Sequence, residues 1–267
     1  MIQNLLSSTG SMGGVSQGLF QGIQRIGSGQ RITRAADDPA GSAVFSAIQG
    51  VSRSDRASLR AVNDGMNMAQ GIDATAGRIQ DNLARMRELA VVAASDTTGD
   101  TGRAALNDEV MQLRDEITRV ADSTEFNGVQ LTNGAQTGLD VQAGAGSSDD
   151  INLDTPDLTA GALGVSGIDL STGAGAKAAL DAIDAALEEV SSVRAEAGAQ
   201  HERFTSAVDS STSRIEAQAA ALSRIGDADY AREISQNSNL QLQQDVQIAA
   251  RVQSQNLTRA STSALLS

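Results

Sequence analysis

The sequence predicts a mainly α-helical protein: a long antiparallel coiled-coil rod with a small β-hairpin region, its N- and C-terminal segments paired in a terminal helical domain. Three features point to it. Apolar residues recur in alternating steps of three and four, as in Ile72, Ala76, Ile79, Leu83, Met86, Ala90 and Ala93, the spacing of a helix seam. Aromatics make up 2% of the 267 residues and much of the 40% hydrophobic content is Ala, so the chain can pack helices closely but cannot fill a thick core. Gly is common (26) and Pro almost absent (2), which suits long helices with Gly kept for turns and close contacts.

The first segment is free of charge from residue 1 to 24; Arg25 is the first charged residue. Leu5, Met12, Leu19 and Ile26 recur every seven residues, with Val15 between them, on one helix face. Gly10, Gly14, Gly18 and Gly22 recur every four on a neighbouring face. Each Gly in a helix costs about 0.5–1 kcal/mol relative to Ala, so this helix forms only on packing, and the glycine row admits a close partner backbone.

Asp37-Asp38-Pro39 starts the next helix: Asp38 caps the first amides and Pro39 suits the first helical position. The helix runs to about Ala94, and its roughly 50 residues span about 75–80 Å. Ser95 to Gly102 breaks it. A second helix carries Leu106, Val110, Leu113, Ile117 and Val120, and the short break implies an antiparallel return.

From Phe126 to about Gly175 the chain is rich in Gly, Asn, Asp, Ser and Thr. The short runs Val129-Gln130-Leu131 and Leu139-Asp140-Val141 flank Thr132-Asn133-Gly134, and the Asn-Gly pair predicts a hairpin there. After Lys177 the seam returns as Leu180, Ile183, Leu187, Val190, Arg194, Ala197, His201, Phe204, Val208, Ser211, Ile215, Gln218, Leu222 and Ile225. From Ile234 onward only Asp245, Arg251 and Arg259 are charged. Leu242, Val246, Ile248, Val252, Leu265 and Leu266 of this charge-poor end join Leu5, Met12, Val15, Leu19 and Ile26 as the candidate self-assembly core.

Composition excludes several function classes. A net charge of −13 leaves no basic footprint for nucleic acid. Without cysteine there is no disulfide scaffold or thiolate site. No run of about 20 apolar residues offers a membrane span, and the N-terminus lacks the positive and apolar regions of a secretory signal. The one histidine, His201, falls on a helix seam and leaves no material for a metal cluster or a His-based triad. Gly173-Ala174-Gly175-Ala176-Lys177 lacks the spacing and the Ser/Thr of a phosphate loop. Asp149-Asp150 and Asp96 to Asp100 read as solvated turns, and Asn256-Leu257-Thr258 as a chance sequon. Neither an enzyme nor a cofactor is expected.

Several ordered motifs resemble those of one family. Arg25-Ile26-Gly27-Ser28-Gly29-Gln30-Arg31-Ile32, followed by Ala35-Ala36-Asp37-Asp38-Pro39-Ala40-Gly41, is similar to the signature of bacterial flagellins. Asn63-Asp64-Gly65-Met66, Met86-Arg87-Glu88-Leu89-Ala90-Val91 and Thr124-Glu125-Phe126-Asn127-Gly128 are similar to further motifs of that family. Arg194-Ala195-Glu196-Ala197-Gly198-Ala199-Gln200 and Ser223-Arg224-Ile225-Gly226-Asp227-Ala228-Asp229-Tyr230-Ala231 are as well. Only residues 129–175 lie outside the resemblance.

The resemblance implies a structural subunit that polymerises into the extracellular flagellar filament for swimming motility, in a minimal form without large outer domains. It implies an inner-domain helix over 1–34, rod helices over 35–126, a β-hairpin and loop region over 127–175, a rod helix over 176–228 and an inner-domain helix over 229–267. Implied partners are further copies of the chain, the flagellar export apparatus, an export chaperone, the filament cap and the hook–filament junction proteins. It also implies an innate-receptor or subunit contact at Leu83, Arg85, Leu89 and Glu109, the receptor being the flagellin-sensing Toll-like receptor; Leu89 falls beside the seam and not on it, which makes an outward role feasible. Two departures stand out: Pro39 replaces a common Ala, and Thr262-Ser263-Ala264 precede Leu265-Leu266 where aliphatics are usual. The alternatives are the related hook–filament junction protein, which also carries Asp-Asp-Pro, and a signalling coiled coil.

Overall fold

The computed structural model describes residues 2–265; side chains of the helical segments 2–12 and 261–265 lie outside the description. The elements are α1 (Ile2–Ser28), α2 (Pro39–Ala94), α3 (Asp100–Ser123), β1 (Glu125–Phe126), β2 (Val129–Gln130), β3 (Leu139–Gln142), β4 (Asp150–Leu153), α4 (Gly173–Gly226) and α5 (Tyr230–Leu265). The chain divides into two compact units, Met1–Ser52 with Glu216–Ser267, and Arg53–Ile215; α2 and α4 contribute to both.

Helix α2 begins as its sequence dictates. The Asp38 carboxylate accepts the Gly41 amide at 2.8 Å, and Pro39 opens the helix. Its 56 residues extend about 84 Å. At its far end the last carbonyls find side-chain donors: Thr98 Oγ1 donates to Val92 O at 2.7 Å, and Arg103 Nη1 donates to Ala93 O and Ser95 O at 3.2 Å. Orphan carbonyls at a helix end need such partners.

In the unit Arg53–Ile215 the core is a seam, not a globule. All seven α2 seam residues from Ile72 to Ala93 are buried, and α3 lays Val110, Ile117 and Val120 against them. On α4 the seam differs from expectation. Ile183, Val190, Ala197, Phe204 and Ser211 are buried, but their expected partners Leu180, Leu187, His201 and Val208 are only half-buried, and Arg194 is exposed. Ala179, Ala186, Val193 and Gln200 take those places, one position earlier. The cause is the segment after α3, which covers the rod: Leu131, Leu153, Leu158, Val165 and Leu170 are buried in the same core, and Gln200 Nε2 donates to Asp154 at 3.0 Å. A third layer therefore rotates the buried stripe of α4 toward itself. Arg194 instead reaches across the surface to Asp73 and Gln80 of α2, at 2.9 and 2.8 Å.

Two hairpins form, neither at Asn133-Gly134. β1 and β2 pair around Asn127-Gly128, whose φ values of 51° and 80° fit a two-residue turn needing two left-handed residues. β3 and β4 pair antiparallel, Leu139 opposite Leu153 and Gln142 opposite Asp150. Leu131 and Thr132 are buried instead of entering an expected hairpin: Thr132 donates to Ala121 O at 2.9 Å and accepts from the Leu158 amide at 2.9 Å. Asn133 closes a local turn by accepting the Ala135 amide.

Gly65 explains part of the Asn63-Asp64-Gly65-Met66 motif. A Cβ there would lie 2.9 Å from the ring of Phe204, a fully buried phenylalanine. The missing side chain lets α4 place its one core aromatic against the α2 backbone.

Candidate self-assembly surface

In the unit formed by both ends of the chain, α1 and α5 run antiparallel. Gly18 lies against Leu240, Gly22 against Asn237, and Gly29, at φ 70°, against the Tyr230 hydroxyl. The glycine row is therefore where the partner helix approaches, as its four-residue spacing implied for Gly18 and Gly22; Gly14 has no neighbour within 4 Å, and Gly10 lies outside the described side chains.

What lies between the two helices is largely polar. Glu233 and Asn237, spaced one turn apart on α5, are buried. Glu233 receives Arg25 Nη1 at 3.5 Å, and Asn237 packs on Gly22. Leu240 packs on Gly18, but the other apolar side chains of α5 point elsewhere: Leu242 is 63% exposed, Val246 67% and Val252 52%, with Ile234, Ile248 and Leu257 exposed as well. On α1, Phe20 and Ile23 are exposed. Of the expected assembly residues on α1, Leu19 is buried and Val15 and Ile26 are half-buried. Leu5, Met12 and Leu265 have side chains outside the described residues, and Leu266 lies outside them altogether.

The stretches flanking α1 and α4 hold each other. The Arg31 amide donates to Gly226 O at 2.6 Å and the Ala228 amide to Gly29 O at 2.9 Å. The Arg31 guanidinium donates to Ile225 O through Nη2 at 2.9 Å and Nε at 3.2 Å, placing a cation at the C-terminus of α4 where the helix dipole favours one. Gly226 is required here: a Cβ would fall 2.5 Å from the Phe45 ring. Asp37 closes the loop before α2. Its carboxylate accepts the Thr33 hydroxyl at 3.0 Å and the amides of Thr33 and Arg34 at 3.2 and 3.0 Å. Desolvation works against its charge, but the Thr33 hydroxyl, the two amides and the nearby Arg25 outweigh it and hold the carboxyl below its ordinary pKa. The two motifs Arg25–Ile32 and Ser223–Ala231, remote in sequence, thus meet in space. Spacing gave no signal for this, because periodicity along one helix holds no record of a contact between stretches remote in sequence.

The four residues expected at a receptor or subunit contact separate into two pairs. Arg85 and Glu109 are on the surface and bound to each other, Arg85 Nη2 donating at 2.9 Å, with Glu88 as a second partner. These hydrogen bonds, Glu109 first, raise the pKa of Arg85. Leu83 and Leu89 are buried at 0% and 4%. Leu89 does not face outward: it sits three residues after Met86 and one before Ala90, on the edge of the seam that α3 covers.

The chain matches two family models that bracket it, the bacterial flagellin N-terminal helical region over residues 6–137 and the C-terminal helical region over 180–262. The flagellin of Halalkalibacterium halodurans is 35% identical over 214 residues, covering 79% of each chain. The chain belongs to the bacterial flagellin family. The Bacillus subtilis flagellin is 31% identical to this flagellin over 267 residues, 87% of each chain. The crystal structure of Bacillus cereus flagellin aligns with a TM-score of 0.53 at 30% identity, over 57% of this chain and 88% of that one. A hook-associated protein structure from Vibrio parahaemolyticus, described as putative in its name, shares the fold at TM-score 0.60 and 15% identity, over 72% of this chain and all of that one. This flagellin is a structural subunit of the flagellar filament, and neither the junction-protein nor the signalling reading is favoured. Among the described residues no helix is long and apolar enough to cross a membrane, and no group of His, Cys, Asp and Glu is placed to hold a metal ion.

Proposed function

We propose that this flagellin builds its filament through the exposed apolar faces of α1 and α5, with the ordering of both ends coupled to assembly. The reading rests on one observation: α5 turns polar Glu233 and Asn237 toward α1 and leaves Leu242, Val246 and Val252 in solvent. Pairing α1 with α5 inside one copy therefore covers Leu19 and part of Leu240 but leaves most of the apolar side chains of α5 in water. Covering those side chains with neighbouring copies gains about 25 cal/mol per Å², against about 1–2 kcal/mol of backbone entropy per ordered residue. The gain comes only when neighbours are present. Leu5, Met12, Val15, Leu19, Ile26, Leu242, Val246, Ile248, Val252, Leu265 and Leu266 are the assembly contacts in this reading, the inner domain comprising 1–34 and 229–267.

The subunits pass unfolded through the flagellar export apparatus, with an export chaperone on the C-terminal end, and assemble outside the cell between the hook–filament junction proteins and the filament cap. The exposed Arg85–Glu109 pair is the surface offered to a flagellin-sensing Toll-like receptor, with Leu83 and Leu89 beneath it as support. A receptor reporter assay on monomer tests that contact; silence at high dose removes it. Deleting residues 1–24 tests the assembly reading. The truncated protein should stay soluble and helical by circular dichroism and form no filaments by electron microscopy. Normal filaments from it would refute the reading.

A further inference from the structure

Within the unit Arg53–Ile215, two charged features are left without ion-pair partners inside one copy among the described residues. Arg56 and Arg60 lie one turn apart on the exposed face of α2, and neither guanidinium has an ion-pair or hydrogen-bond partner among the described residues. The second feature is a cleft of about 310 Å³ lined by residues of the 154–156 loop, by apolar Ile72, Val193 and Ala197, and by Asp154, Glu189 and Glu196. Glu189 and Glu196 make no ion pair among the described residues; Asp154 holds Gln200.

The two features face different ways. At about 100° per residue, Ile72 on the cleft side stands about 120–160° around α2 from Arg56 and Arg60. One copy therefore cannot satisfy its own cleft with these arginines, and two copies related by a twofold axis need not either. A contact joining one face to a different face is heterologous, and heterologous contacts whose rotation does not close generate open helical polymers. The charges are complementary and the spacings compatible: the arginines lie about 6 Å apart along their helix and the two glutamates about 10 Å apart along theirs, a difference that flexible guanidinium arms can bridge. The apolar lining of the cleft suits the methylene stems of Arg, which pack while the head group pairs.

We propose that Arg56 and Arg60 of one copy dock into the Asp154–Glu189–Glu196 cleft of a second copy, a lateral contact separate from the one made by the chain ends. The proposal rests on the filament reading. Its chemistry is that of charge pairs partly shielded from water at a protein interface, which steer association and fix register.

The test is a charge swap measured by critical concentration for filament growth. The wild-type protein must polymerise; if it does not, the filament reading fails independently of this contact. R56E/R60E and E189R/E196R should each keep the wild-type melting curve and raise the critical concentration about tenfold or more, the scale on which close interfacial charge pairs act. The fourfold variant carrying both changes should regain most of that loss. Wild-type critical concentrations in both reversed variants overturn the contact and leave the cleft to some other cationic partner. Loss without recovery in the fourfold variant overturns the pairing. If a reversed variant fails to fold, R56Q/R60Q replaces it: added salt should raise the critical concentration of the wild type more steeply than that of R56Q/R60Q, and equal slopes overturn the proposal.

Discussion

Gly22 of α1 lies against Asn237 of α5 so closely that a Cβ at Gly22 would fall 2.8 Å from the Asn237 side-chain oxygen. The glycine row of the N-terminal helix and a buried amide of the C-terminal helix thus form one feature, a close approach fixed by the absence of a side chain on one helix and by a polar group on the other. A single buried polar residue between two helices sets their register at some cost in stability. Gly22→Val should therefore force α1 and α5 apart. Filament growth should fall sharply while the melting transition of the rod stays where it was; unaltered growth would show that the close approach does not persist in the filament.

Leu242 and Val246 test the same surface from the solvent side. Both are exposed in the single copy, so Leu242→Asp and Val246→Asp should leave the monomer's circular dichroism unchanged. Burying an unpaired carboxylate in the filament would be costly, so sedimentation should find these variants in the monomer fraction.

Phe204 and Gly65 should behave as a coupled pair. Phe204→Ala removes a fully buried ring and should cost about 3–5 kcal/mol in denaturant unfolding. Gly65→Val should cost about 1–3 kcal/mol by overpacking against that ring. In the double variant the added methyls enter the space the ring vacated, so the combined loss should be smaller than the sum. Strict additivity in a double-mutant cycle would contradict the contact.

The pH dependence of rod stability should have an acid limb. Arg87 donates to Asp184 through Nε at 2.6 Å, and that hydrogen bond, which outweighs desolvation, lowers the pKa of Asp184; Glu116 is lowered in the same way by Arg119. A carboxylate whose folded pKa lies below its unfolded one binds more protons when unfolded, so its contribution is complete above the ordinary carboxylate range. It is lost as pH falls from that range through the depressed folded value. Asp184→Asn should flatten the fall of the melting temperature over that acid window and leave the curve unchanged near neutrality. Both carboxylates are on the surface, so salt should weaken the effect.

The rod was legible where one helix packs on another. Every α2 seam residue from Ile72 to Ala93 is buried because its neighbours α3 and α4 lie on the side that heptad spacing selects. On α4 the spacing located half of the stripe and missed the other half. The 131–170 segment, polar in composition, delivers Leu153, Leu158 and Leu170 to a third side of the helix, and periodicity along α4 holds no record of that layer. Asn127-Gly128 and Asn133-Gly134 carry the same turn chemistry; only the first is flanked by residues free to pair, since Leu131 and Thr132 are taken by the core. Scarcity of charge marked α1 and α5 as surfaces cheap to desolvate, and the proposed assembly contacts are drawn from it. The hold of Arg31 on Ile225 was not legible, because it joins an irregular stretch to the last turn of α4, 194 residues away.

That hold also makes the chain between Arg31 and Ile225 a closed cassette. Its entry and exit are fastened by hydrogen bonds to Gly226 and Ile225, so the termini sense where the intervening chain begins and ends, not how long it is. Closing a longer loop adds only about 0.6 kcal/mol per doubling of its length. Sequence inserted among the exposed residues 145–148, between β3 and β4, would therefore enlarge the subunit with little effect on the fastening itself.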